Sequence, residues 1–265
     1  MILWSRSSKV AAWLVALALF VPLFGFPLLT VLVAAISRQW NGVLPTGFTV
    51  ERFHEALAGD NLASLLTSVM TGLISTVIAL VTGFWGALAG RRLRRRGRRV
   101  VDALFLVPIA VPSVSVGLGL LVAFSQPPVL LNGTRAIVIA AHVVLVTAFA
   151  YTTASAALLR LDPALEQVAA SLGARPRYVL VRVTIPLLLP AIVASAGLCF
   201  ALSMGEIGAT LMVYPPTWRT LPATIFGLQD RGDQFLGAAM SVLLLATTVL
   251  VLALMSRLRT RASYR

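Results

Sequence analysis

LDPALEQVAASLGARPRYVLVRVTIP, residues 161–186, separates two long apolar runs at 137–159 and 187–212. Asp162 is placed to cap a helix start, Pro163 suits the first helical position, and Glu166 in the first turn complements the helix dipole. Gly173 can take the left-handed conformation that ends such a helix, and Pro176 starts a second one. The stretch therefore predicts a helix, a sharp turn at Gly173 and another helix. The small residues Ala169, Ala170, Ser171 and Ala174 lie near its tip, where a partner surface could approach closely.

Moving outward from this loop, the chain is dominated by apolar runs. Of its 265 residues 58% are hydrophobic and 12% charged, and its mean hydropathy is +0.92. A water-soluble domain of that composition would expose large apolar patches, so lipid is the expected solvent. A membrane helix needs roughly 20 apolar residues, and six runs qualify: 11–36, 62–89, 101–124, 137–159, 187–212 and 235–255. The first follows Arg6 and Lys9, as in a secretory leader, but its apolar core is too long for one and is expected to be a retained span. The runs are continuously apolar and lack the period-two alternation of barrel strands, so the spans are helical.

The 22 basic residues against 9 acidic ones would suggest nucleic acid in a soluble chain. Here they fall between spans, where they orient the protein and imply no nucleic-acid partner. Placing both termini in the cytoplasm puts 17 of them inside and leaves five, Arg38, Arg52, Arg135, Arg219 and Arg231, outside. The run from Arg91 to Arg99 then reads as an orientation anchor facing lipid headgroups. The expected fold is all-α: one polytopic membrane domain over 1–265, six transmembrane helices, both termini cytoplasmic, and a cytoplasmic loop at 160–186.

That loop resembles the signature segment of binding-protein-dependent ABC importer permeases, in which Glu-Ala-Ala is followed after three residues by Gly and after nine more by Ile-x-Leu-Pro. The matching positions are Gln167, Val168, Ala169, Gly173, Val183, Ile185 and Pro186. Four depart from the pattern, namely Gln for Glu, Val for Ala, Val for Ile and Ile for Leu, and the Glu is displaced by one place to Glu166. The resemblance extends through the six-span layout to nearly the whole chain and implies a type I-like importer fold in a bacterial inner membrane. It also implies that Glu166, Gln167, Ala169, Ala170, Gly173, Ala174 and Pro186 form a coupling helix docking on a cytoplasmic ATPase. A second permease subunit, identical or homologous, and an extracytoplasmic solute-binding protein would complete the assembly.

The only lysine is Lys9, so a Gly-x-x-x-x-Gly-Lys-Ser/Thr phosphate loop cannot be built. ATP and magnesium are expected on the partner ATPase, with no cofactor on this chain. The lone cysteine, Cys199, sits in an apolar run and reads as a small buried hydrophobe. With only His54 and His142, no histidine metal site is expected.

For the translocation pathway the fifth run is the informative one. Glu206 is a carboxylate inside it, costly there unless it faces a cavity or a partner. Ser203 and Thr210, three before and four after, would share its face on one continuous helix, and Gly205 and Gly208 would allow close helix approach. His142 in the fourth run reads as a core histidine or partner contact before a proton relay. In the third run, Pro108 and Pro112 with Ser113 and Ser115 suggest a kinked second wall. The loop from Tyr214 to Gly227, with Pro215, Pro216 and Trp218, is expected on the outer side, as an interfacial or re-entrant segment that could receive the binding protein.

The run Ser203 to Met212, with Tyr214-Pro215-Pro216 and Arg231-Gly232, resembles permeases of 2-aminoethylphosphonate importers. These stand with the iron(III), thiamine, polyamine, sulfate and molybdate group. A stand-alone secondary transporter or channel would need a coupling-ion pathway for which Glu206 and His142 offer little. A membrane hydrolase would need a His-Glu-x-x-His motif or an aspartate pair, and the spans hold neither.

Overall fold

The computed structural model describes residues 6–262. Of the basic residues counted at the chain ends, Arg265 lies outside the described residues, as do the side chains of Arg6, Arg259 and Arg261. The elements in order are α1 (Arg6–Phe20), α2 (Phe26–Ala35), β1 (Ser37–Gln39), β2 (Thr46–Phe48), α3 (Glu51–Ala56), α4 (Gly59–Arg92), α5 (Arg95–Ala110) and α6 (Ser113–Ala123). Then come α7 (Arg135–Arg160), α8 (Pro163–Ser171), α9 (Pro176–Val179), α10 (Ile185–Met204), α11 (Gly208–Val213), α12 (Leu221–Asp230) and α13 (Gln234–Ala262). Among the described residues, five helical stretches are long and apolar enough to cross a membrane, and α5 with α6 makes a sixth if that bent pair is one span.

The chain divides into two compact units. The first holds residues 1–62 and 225–243. In it a π-helical turn, Val21–Gly25, joins α1 to α2, so Ser8–Ala35 is one apolar span whose large side chains are mostly exposed. The ring of Pro22 removes a backbone donor, and a π turn absorbs the loss without breaking the rod. The span ends in a two-stranded antiparallel ribbon, with Ser37 opposite Phe48 and Gln39 opposite Thr46, which the apolar pattern gives no hint of.

The second unit, residues 63–224 and 244–265, carries the candidate sites. Its helices meet through small residues, as expected where lipid supplies no hydrophobic drive between helices. A Cβ on Gly83 would lie 2.8 Å from Ala150 Cβ, so α4 and α7 cross there nearly backbone to backbone. Around this crossing pack Ala79, Val146, Ala150 and the buried Cys199. Toward the basic end, Phe84, Ala87, Tyr151, Ala154, Leu158 and Leu188 form a further cluster, and Tyr151 stacks on Phe105 and donates its hydroxyl to Asp102.

Two of the apolar runs are not the straight helices a hydropathy profile suggests. Run 101–124 turns by 108° between α5 and α6. Val111, which precedes Pro112, is extended at φ −97°, ψ 130°, because the proline ring disfavours helical geometry in the residue before it. Run 187–212 stops at Met204: Gly205 caps α10, Ile207 sits at φ −124°, ψ −37°, and α11 begins only at Gly208. The expectation that Ser203, Glu206 and Thr210 share one continuous helical face is corrected accordingly.

Candidate functional site

The loop between α7 and α10 folds as its residues demand. Asp162 Oδ1 accepts the Ala164 N–H at 2.9 Å, capping α8. At the other end Gly173 has φ +83°. Its N–H reaches Ala170 O at 2.9 Å and the Ala174 N–H reaches Ala169 O at 3.1 Å, the paired bonds of a Schellman turn. The second arm, however, is no separate short helix. Starting at Pro176, it passes through a π turn, Leu180–Thr184, into α10, so Pro176–Met204 is one rod of 29 residues.

Glu166 is the only carboxylate of this loop that turns inward, its side chain 21% exposed. It pairs with Arg91 at the end of α4 and accepts the Thr184 hydroxyl at 2.7 Å. Burial pushes its carboxyl up, but hydrogen bonds from Thr184 and Arg91 and the charges of Arg91 and Arg92 outweigh this and hold it below the ordinary range. Gln167, Ala170, Gly173 and Pro186 are exposed, whereas Ala169 and Ala174 are half-buried. Leu165, Val168 and Leu172, spaced three and four apart, leave an apolar stripe exposed on α8, with Leu172 84% accessible. Sequence reasoning did not single out Thr184 or Arg91; the lone signal was the glutamate standing one place early.

The second arrangement surrounds the break after Met204. Ser203 and Thr210 are buried, on either side of the break, and both reach His142 of α7: Nδ1 lies 2.6 Å from Ser203 Oγ and Nε2 2.9 Å from Thr210 Oγ1. Ser75 of α4 joins at 3.2 Å from Ser203 Oγ. Glu206 occupies the break itself, half-buried, and its Oε1 accepts the Ala209 N–H at 2.8 Å, satisfying one of the free donors at the start of α11. Ser113 is half-buried at the start of α6, next to Gly208, and Ser115 is exposed. A Cβ on Gly117 would lie 2.7 Å from Ala209 O, so α6 and α11 also touch through their backbones. Of the five residues expected along the pathway, Ser203 and Thr210 are thus turned into the protein, while Glu206, Ser113 and Ser115 keep exposed surface.

Beyond α11, the Trp218 indole donates to Thr71 Oγ1 at 3.0 Å and the Leu221 N–H donates to Ser68 Oγ at 2.7 Å. Ser64, Ser68, Thr71 and Ser75 are all buried and lie four, three and four residues apart, a hydroxyl seam down one face of α4. Segment 214–224 is therefore held against α4 within the second unit.

Residues 82–264 match the family described as binding-protein-dependent transport system inner membrane component, and the chain belongs to that family. It is an inner-membrane permease component of an ABC importer. It is 46% identical over 261 residues, 98% of both chains, to a protein of Salmonella typhimurium named as the 2-aminoethylphosphonate transport system permease PhnV. With the molybdenum transport system permease ModB of Mycobacterium tuberculosis it shares 36% over 201 residues, covering 71% of this chain and 76% of that one. Its fold matches a chain of a bacterial alginate ABC transporter solved with its pentasaccharide-bound periplasmic protein, at a TM-score of 0.76 and 18% identity over 96% of this chain and 94% of the other.

Proposed function

We propose that this chain is the pore-forming permease of an importer for 2-aminoethylphosphonate. The observation that carries the substrate is the 46% identity over 98% of both chains to a relative named for that compound, against 36% over 71% for the molybdenum permease. In this reading the basic end, with the 160–186 loop, faces the cytoplasm together with both termini. The exposed stripe of Leu165, Val168 and Leu172 and the small residues beside Gly173 dock on an ATPase that holds ATP and magnesium. A second permease encloses the pore, and a solute-binding protein delivers cargo to the outer side. The chain performs no covalent chemistry: its task is alternating access by rocking of packed helices. Glu206, with Ser113 and Ser115, borders the pathway, and Ser203 and Thr210 support it from behind.

The test is growth on 2-aminoethylphosphonate as sole phosphorus source by a strain whose own permease is deleted, with this chain supplied alongside its ATPase and binding protein. Growth that depends on the chain and is lost with Glu206→Ala at undiminished membrane levels is expected. Uptake of molybdate but not of the phosphonate would overturn the substrate.

A further inference from the structure

We infer that His142 is the positioning residue of the fifth span: bonded to both sides of its break, it fixes where Glu206 stands. This rests on the reading of Glu206 as a pathway group, and deepens it. The Gly205 and Glu206 N–H groups still bond back to α10, to Ala201 O and Ser203 O at 3.2 Å each, and the α11 side begins with Leu211 N–H to Ile207 O at 2.9 Å, so no backbone–backbone hydrogen bond spans the Glu206–Ile207 peptide. Groups on neighbouring helices then help to set the angle between α10 and α11, and His142 is 1% exposed on α7 with one ring nitrogen for each half.

The hydrogen bonds close with either tautomer of the imidazole. In one, Thr210 Oγ1 donates to Glu206 O at 3.4 Å, the longest bond of the group. Thr210 then accepts from Nε2–H, which leaves Nδ1 to accept the Ser203 hydroxyl. In the other, Nδ1–H donates to Ser203, Ser203 to Ser75 and Ser75 to Gly72 O at 3.2 Å, while Thr210 donates to Nε2. Glu206 thus meets α11 through its carbonyl, which faces Thr210 Oγ1, and its carboxylate, which accepts the Ala209 N–H, while its own N–H bonds to Ser203 O of α10. Without the imidazole, Ser203 keeps Ser75 but nothing bonds Thr210 to α7, and α11 is left with its packing on α6 and α7 and the Glu206 N–H bond to Ser203 O. A pathway-competent arrangement populated only part of the time lowers apparent affinity by that fraction, without altering the turnover of a loaded transporter.

The experiment uses the assembled transporter in membrane vesicles and two readouts. The first is the rate at which a water-soluble methanethiosulfonate labels Glu206→Cys, with the buried native Cys199 as background. Adding His142→Ala should change this rate at least about fivefold, as expected when a break loses a bond that held it. His142→Gln, whose amide keeps an acceptor for Ser203 and a donor for Thr210, should restore it to within about twofold. Val146→Ala, one turn along α7, removes packing but no side-chain hydrogen bond, and should leave it unchanged. The second readout is ATP-driven uptake of 2-aminoethylphosphonate: His142→Ala should raise KM about five- to tenfold with the maximal rate per assembled transporter within about twofold. Equal labelling with and without His142→Ala, or no labelling at position 206 at all, overturns the inference while leaving the permease assignment standing. An absence of phosphonate uptake by the parent overturns the substrate alone, and the labelling arm still decides on His142.

Discussion

Thr184 donates its hydroxyl to Glu166 across 2.7 Å, and so ties the first turn of α8 to the foot of α10, 18 residues later. Arg91 pairs with the same carboxylate, which makes Glu166 a point where the loop meets two spans at once. Glu166→Ala is expected to loosen the loop by about 1–2 kcal/mol, the scale of hydrogen bonds to a charged group at a partly exposed site. The check is ATP hydrolysis against uptake in reconstituted vesicles: hydrolysis should continue while uptake falls severalfold, and unchanged coupling would remove Glu166 from the loop's working parts.

The same carboxylate gives a pH dependence with a definite sign. Its folded-state pKa is depressed because the bonds from Thr184 and Arg91 outweigh burial. Its stabilisation is therefore complete above the unfolded glutamate value of about 4.3 and is lost as pH falls through the lower folded value. Protease protection of the loop should be flat between about pH 5 and 8 and decline below about pH 4. Glu166→Gln should be less protected and lose that acid-dependent step.

Gly173 stands at φ +83° with both turn bonds in place. Ala there is expected to cost about 1 kcal/mol, because a Cβ disfavours left-handed backbone. Gly173→Pro fixes φ near −65° and removes the N–H that reaches Ala170 O, so it should abolish uptake altogether. The amount of the chain in the vesicles, measured by immunoblot beside ATPase binding by sedimentation, distinguishes a misfolded loop from an empty membrane.

Gly117 and Gly119 lie two residues apart on α6 in opposite surroundings. A Cβ at 117 would meet the backbone of Ala209 at 2.7 Å, whereas one at 119 finds nothing within 4 Å. Gly117→Ala should destabilise the packing by about 1–3 kcal/mol and Gly119→Ala should be neutral or mildly stabilising. Thermal melting of the detergent-solubilised protein separates the two; equal Tm values would dismiss the close α6–α11 contact.

Ser68→Ala removes the acceptor of the buried Leu221 N–H, leaving it unsatisfied at a cost of about 1–3 kcal/mol. Ser68→Thr keeps the hydroxyl and should retain most of the stability. Faster proteolysis within 214–224 for the alanine variant alone is the expected outcome.

Much of this was legible in the residues themselves. The apolar runs announce the spans, Asp162 and Gly173 announce the ends of α8, and Cys199 proves to be the buried small residue its surroundings suggest. The break after Met204 was not legible, because its flanks stay apolar and hydropathy averages over a gap of three residues. Gly205 and Gly208 were read as packing glycines, which describes Gly208 against Ser113 and Val114 but not Gly205, the cap of α10. His142 was legible as a satisfied histidine, but its partners lie 61 and 68 residues away, and no local pattern encodes contacts of that kind. Thr184 escaped for the same reason, its partner being on the far side of the turn.

The continuity of Pro176–Met204 has a mechanical consequence. Twenty-nine helical residues extend about 43 Å, against about 30 Å of hydrocarbon, so the rod is longer than a bilayer core is thick and ends at the gap holding Glu206. In the proposed assembly it would serve as a lever, continuous through its π turn and Pro190: a tilt of about 5° at the foot carries the far end by about 4 Å over that length. In that assembly a push from the ATPase would reach the carboxylate along the backbone of one rod.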